Sequence, residues 1–294
     1  APQLEKGAWM MKDGIVLVLP YVLTVLISML LWIVQNSPFH YMSRGFSYSA
    51  YQIVALLTSM AYLFMFGKKA IYLQLLAMAA ANGILIYKNG ISVSGFGPFL
   101  QDYFNLVTSF GSEATDLTKQ VELNDLTYAI GLVLLYFLLQ REKVKYRFPC
   151  ILLSGFLFST GLKRIGVAAV AGAVILTVLC GVFSENVGKK MMRIIAFAMI
   201  VFGIGYIAFI KFGFYNEIAE ILQIDTKGRN EINDFIDGYY LFSPLFLGYG
   251  LGYVSRLLGS GAAERYGAFL ALHNDYLRMY VEVGFWGYLV WLWT

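Results

Sequence analysis

Apolar runs long enough to cross a lipid bilayer recur along this chain, and no other feature narrows the fold so far. A span takes roughly 20 apolar residues, about 17–25 in practice, and inside hydrocarbon the backbone must satisfy its own polar groups. Residues 14–35 form the first such run, with Pro20 near its start. Residues 47–66 and 70–87 form a pair across the basic turn Gly67-Lys68-Lys69. Runs at 125–140, 148–160, 165–183 and 191–212 follow, and 276–294 begins an eighth. Composition agrees: 59% of the 294 residues are hydrophobic and only 14% charged, against roughly 25% charged in a soluble domain. One water-soluble core could not hide so much apolar surface.

We therefore expect an all-α polytopic membrane protein, a single membrane domain over 1–294 built as a bundle of at least eight transmembrane helices. Its long outer loops fall at 88–124 and 213–275. No separate cleavable leader is expected ahead of the first span, which is long enough to stay in the bilayer. The chain stops at Trp291-Leu292-Trp293-Thr294 inside an apolar run and with no basic stop, so a truncated C-terminus with further spans beyond it is expected. Cys150 and Cys180 lie within apolar runs and read as small hydrophobes.

Lysine and arginine counts set the orientation. The N-terminus, Lys68-Lys69, the turn from Arg141 to Arg147 and the turn from Lys189 to Arg193 fall on one side, with eleven basic and four acidic residues. The other side holds eleven basic and fourteen acidic residues. The N-terminus is thus placed in the cytoplasm and both long loops outside. The run 148–160 is about 13 residues, too short at 1.5 Å each for a ~30 Å core. Either neighbouring residues extend it, or it is a partial helix that would hold Lys163 and Arg164 inside a cavity.

Polar residues at membrane depth are expensive and ask for a function. The densest group is Leu272-His273-Asn274-Asp275-Tyr276-Leu277-Arg278, running on to Glu282. Asn274 or Asp275 is a suitable N-cap. Asp275, Arg278 and Glu282 are spaced to share one helix face, and His273 stands just ahead of the cap. A capped helix start with an interfacial histidine and a functional site are both compatible with this spacing. In Ser159-Thr160-Gly161-Leu162-Lys163-Arg164, the two cations either snorkel to headgroups or bind phosphate, for which an arginine fork is suited. Arg229, in the loop Asp225-Thr226-Lys227-Gly228-Arg229-Asn230-Glu231, precedes a short helical pattern at Ile232, Phe235 and Ile236. It could simply pair with Asp225 or Glu231.

Gly248-Tyr249-Gly250-Leu251-Gly252 lacks the preceding strand and the lysine of a phosphate loop, so a tight re-entrant turn packing backbone against helices is expected there. Arg256 follows it. No Cys/His cluster points to zinc, no Asp-x-Asp pair marks another metal, and no Gly-x-Ser-x-Gly marks a serine hydrolase.

His273-Asn274-x-Tyr276-Leu277, then Glu282-x-Gly284 and Gly287, resembles the signature of the O-antigen ligase and polymerase superfamily, which includes Wzy-type polysaccharide polymerases. The order upstream is similar: Lys163-Arg164 after a Ser/Thr-Gly turn, then Gly228-Arg229, then the glycine run. The likeness covers roughly 150–288, although the family usually shows Ser-Arg-Gly where this chain has Lys163-Arg164-Ile165.

The resemblance implies a glycosyltransferase C-like fold in the bacterial cytoplasmic membrane. It further implies an inverting glycosyl transfer at the outer face, independent of metal and needing no cofactor. The donor would be a glycan on undecaprenyl pyrophosphate. His273, Arg229 and Arg164 are then the expected catalytic residues, and Lys163, Arg256, Asn274, Asp275, Arg278 and Glu282 the substrate-binding ones. Implied partners are the bilayer, the lipid-linked glycan and flippase and chain-length regulator proteins, with no nucleic acid. A polymerase is favoured over a ligase that acts on lipid A core. A transporter of the same lipid-linked sugars and a membrane scaffold are the readings from other classes.

Overall fold

The computed structural model describes residues 2–36, 39–108, 124–140, 145–161, 164–182, 185–221, 229–259, 272 and 274–293. Every regular element among them is helical. Gly14–Val34, Ser49–Ile86 and Asn186–Lys211 are long and apolar enough to cross a membrane, and shorter apolar helices occupy Tyr128–Leu139, Arg147–Thr160 and Gly166–Val182. Large apolar side chains such as Leu30, Ile33, Phe197 and Val182 stand exposed on these helices. Such surface is a liability in water and costs nothing against lipid tails.

Each expected span meets a helix, but only three runs among the described residues have the length and apolarity of a crossing. The reasons are local. The expected pair 47–66 and 70–87 falls in one continuous helical run, Ser49–Ile86, with a one-turn 3-10 helix at Gly67–Lys69 where Gly67 has φ 54°. Arg147–Gly161 has 15 residues, about 22 Å of rise, still short of the ~30 Å core. It starts at Arg147, whose Nε and Nη2 donate to the carbonyls of Phe137 and Leu138 at 2.8 and 2.6 Å. A cation that would oppose its own helix dipole thus covers the last carbonyls of the helix before it. The final helix, Asp275–Trp293, is interrupted at Gly284.

The chain divides into two compact units, Ala1–Met65 with Arg193–Thr294, and Phe66–Met192. The second unit is centred on Leu75, Met78, Ile130, Val133, Phe137, Cys150 and Leu157. Both cysteines are free. The polar stretch after residue 87 is itself helical in its described part, ending in Phe96–Thr108.

In the first unit, Ile207 and Ile210 meet Ile232, Phe235 and Ile236, together with Leu277, Tyr280 and Val281. The helix Arg229–Asp237 therefore buries the apolar stripe that the sequence spacing defines. Tyr288 donates its hydroxyl proton to the Gly203 carbonyl at 2.9 Å, and Gly203 also lies against Leu292. A small residue there allows the close helix approach common in membrane bundles.

Candidate functional site

The break at Gly284 organises the polar end of the first unit. With φ 71° and ψ −178°, Gly284 occupies a backbone region open essentially to glycine alone. In an unbroken helix the amides of Phe285 and Trp286 would bond the carbonyls of Val281 and Glu282. The break turns them away, and a buried orphan carbonyl is costly. The glycine-rich loop supplies what is missing. Tyr249 and Gly250 donate their amides to the Val281 and Glu282 carbonyls, at 3.2 and 2.6 Å, while Phe285 donates its amide to the Phe246 carbonyl at 2.9 Å.

Close approach requires the glycines. A Cβ on Gly248 would strike the Gly284 amide and the Glu282 carbonyl, and one on Gly284 would strike the backbone of Leu247. Gly248, Gly250 and Gly252 all have positive φ, at 82°, 90° and 88°. The first helix clamps the same loop from its own side. Gln35 donates Nε2 to the Gly248 carbonyl at 2.7 Å, Leu251 donates its amide to Ser28 Oγ at 3.0 Å, and Gly250 packs on the Trp32 indole. The expected turn of backbone against helices is thus observed.

Glu282 is buried, 2% exposed. Its Oε1 accepts from the amides of Gly252 and Val254 at 3.0 and 3.2 Å, covering the open amides of the one-turn helix Tyr253–Leu257. The side chain therefore holds the loop that carries Arg256, a structural position rather than one facing solvent. Arg278 forms an ion pair with Asp275 at 3.1 Å.

Asn274 is the helix cap. Its Oδ1 accepts from the Leu277 amide at 3.1 Å and its Nδ2 donates to the Tyr206 hydroxyl at 3.2 Å, so one side chain fixes both the helix start and its distance from Asn186–Lys211. Asn274→Ala is expected to cost about 0.5–2 kcal/mol, and Asn274→Asp to recover most of it by keeping the cap oxygen. Thermal unfolding of the two variants measures the difference.

The second unit contributes a separate polar cluster. Asn82, fully buried, donates Nδ2 to Thr160 Oγ1 at 3.0 Å, and the hydroxyls of Tyr103 and Ser159 lie 2.8 Å apart. These contacts fix the end of Arg147–Gly161, three residues before Arg164 opens the helix Arg164–Val182. An asparagine within an apolar run is the signal that would have singled out Asn82.

Of the expected catalytic residues, Arg164 and Arg229 each stand first in their helices, in separate units. His273 and Lys163 lie outside the described residues, as does Asp225. The structure brings together Asn274, Asp275, Arg278 and Glu282 on one helix, with Arg256 on the loop that Glu282 secures. Among the described residues no group of three His, Cys, Asp or Glu is placed to hold a metal. Comparison with protein-family models, with curated proteins and with solved structures yields no match.

Proposed function

We propose that this chain is a membrane glycosyltransferase, a polysaccharide polymerase that joins oligosaccharide repeat units carried on undecaprenyl pyrophosphate at the outer face of the bacterial cytoplasmic membrane. The observation that carries this reading is the capped start of a broken helix, at Asn274. Asn274 caps the helix one residue after His273, and the break nine residues beyond the helix start is bonded on both sides to the glycine loop. A catalytic side chain needs such a rigid mount, because misplacement by about 1 Å can cost on the order of 100-fold in rate.

Arginine as the first residue of a helix opposes the dipole, a cost of about 0.3–1 kcal/mol. That is offset where an anion binds, since helix N-termini present open amides to phosphate. Arg229 occupies that position in the first unit, and we assign it to the donor pyrophosphate; Arg164 occupies the corresponding position in the second unit. In the reaction an acceptor sugar hydroxyl attacks the anomeric carbon of the donor glycan, and the bond from that carbon to the pyrophosphate oxygen breaks. His273 takes the hydroxyl proton, and undecaprenyl pyrophosphate leaves with the bonding electrons and inversion at carbon. Leaving-group charge is met by fixed cations, with no metal required.

A transporter of the same lipid-linked sugars is the second reading, favoured by the discontinuous helix. Two glycines seated in each other's backbone weigh against it, because that break has no room to slide. Reconstituted wild-type protein is expected to lengthen a purified undecaprenyl-pyrophosphate repeat unit into a ladder. His273→Ala and Arg229→Ala are expected to lower the rate at least 100-fold without loss of folding. Full elongation by His273→Ala would remove the base from the scheme.

A further inference from the structure

No charged residue occurs between Tyr239 and Ser255, although that stretch lies within the expected outer loop 213–275. A loop that faces water is normally richer in polar and charged side chains. Here the charges stand at its two ends. Lys211, which closes the span Asn186–Lys211, holds Asp237 at 2.9 Å, and Arg256 follows Ser255.

Between those ends the chain turns back along the first span. Trp32 of that span shares a buried cluster with Ile207 and Ile210, so the ends of the two spans lie side by side. Gly248 is bonded to Gln35, just past the end of Gly14–Val34, and Leu251 to Ser28. Ser28 lies six residues short of Val34, about 9 Å of helix rise. The loop thus leaves the end of one span and reaches the depth of another.

Irregular backbone at that depth is tolerated only where protein satisfies its polar groups. Ser243 donates its amide to the Tyr280 hydroxyl at 3.2 Å, and that hydroxyl donates to the Leu241 carbonyl at 2.8 Å. Leu245 donates its amide to Ser243 Oγ at 3.2 Å, and Phe246 to the Ser243 carbonyl at 3.0 Å. From Tyr249 to Gly252 every amide has a partner in the first or the last helix. The side chains divide by face. Phe242 and Phe246 stack on the Tyr280 ring, 6.2 and 5.5 Å between centres. Leu241, Leu245 and Leu247 stand exposed, Leu245 by 87%.

We infer that residues 241–247 form a re-entrant loop set into the leaflet at the Val34 end of the first span, with Leu241, Leu245 and Leu247 among lipid acyl chains. Leu30 and Ile33, exposed on the adjoining turns of that span, face the same hydrocarbon, so the leucines extend an apolar surface already given to lipid. Trp286, exposed two residues past the break that Phe246 seals, adds an aromatic side chain of the kind found at the edge of a bilayer. The inference is independent of the proposed chemistry, because it rests on the spans and on the bonds that tie the loop to them.

The test uses the full chain with Cys150→Ala and Cys180→Ala in phosphatidylcholine nanodiscs, carrying a bimane label at Leu245→Cys or Leu247→Cys. Asp234→Cys, at an exposed position of Arg229–Asp237, is the aqueous control. Nitroxides on the lipid acyl chains are expected to quench both loop labels. Iodide is expected to quench them at least about tenfold less than the control, because an anion enters hydrocarbon only at great cost. In the unmodified chain, a phosphatidylcholine with a diazirine on its acyl chain is expected to crosslink within residues 241–247, which keeps the test decisive if a cysteine variant fails to fold.

Loop labels as open to iodide as the control would overturn the inference. So would labels shielded from both quenchers, the result expected if a second copy or a further segment of the chain were seated there. Absence of crosslinking within 241–247 would equally overturn it. A chain that passes these tests but never elongates a glycan keeps the re-entrant loop and loses the polymerase.

Discussion

Gly284→Ala is expected to lower the stability of the chain by about 3 kcal/mol or more. Two costs combine. A residue with a Cβ in the backbone region of Gly284 pays about 1–3 kcal/mol in strain, and the added carbon runs into the carbonyl and backbone of Leu247 and the Phe246 carbonyl, the last at 2.6 Å. Overpacking of this kind adds about 1–3 kcal/mol, and here the obstacle is backbone, which cannot rotate aside. Relief by separating the loop from the helix would forfeit the bonds from Tyr249, Gly250 and Phe285. Gly205→Ala is the matched control, since that glycine lies within Glu185–Lys211 and its added carbon meets nothing within 4 Å. It should be neutral or stabilise by up to about 1 kcal/mol. Thermal unfolding in detergent or nanodiscs compares the two, and equal melting temperatures would contradict the interlock.

Glu282→Ala should cost on the order of 2–5 kcal/mol, because it leaves the buried amides of Gly252 and Val254 without their acceptor, at about 1–3 kcal/mol each. Glu282→Gln keeps an oxygen in the same place and should recover most of the loss. That contrast separates holding the loop from carrying a charge. If glutamine were as damaging as alanine, the carboxylate would matter for its charge, and a direct role toward substrate would return. The effect of alanine on elongation is expected to exceed its effect on folding, since Arg256 rides on the loop that Glu282 fixes.

Local signals in the sequence carried well where the interaction is local. The pairing of Asp275 with Arg278 three residues on and the apolar stripe of Ile232, Phe235 and Ile236 follow from helix periodicity, and the cap was narrowed to Asn274 or Asp275, of which the structure uses Asn274. The glycine run was readable as a turn packed on helices, because three alternating glycines have little other use. Its partner was not. Glu282 shares a helical spacing with Arg278, so a side-chain pair on one face was the natural expectation, yet its oxygen serves amides about thirty residues earlier in the chain.

The break at Gly284 was hidden for a related reason. A glycine inside an apolar helix costs only about 1 kcal/mol and does not by itself announce an interruption. What makes it break is the supply of replacement hydrogen bonds from residues 246–250, a long-range fact. The Lys211–Asp237 pair and the link from Asn82 to Thr160 are likewise joined only by folding. Span counting depends on a further property. Hydropathy marks where apolar helices occur, but the 15 residues of Arg147–Gly161 and the interrupted final helix show that apolar and long enough to cross are separate properties.

The most direct test of the proposed chemistry follows the pyrophosphate. Reconstituted protein, with an undecaprenyl-pyrophosphate repeat unit on the outer side of sealed vesicles and a metal chelator present, is assayed for free undecaprenyl pyrophosphate and for the anomeric configuration of the new linkage. One undecaprenyl pyrophosphate released per glycosidic bond formed, with inverted configuration, is the result expected of a metal-independent polymerase. Repeat units that cross the bilayer with their pyrophosphate link intact, and no released carrier, would contradict it and identify a transporter.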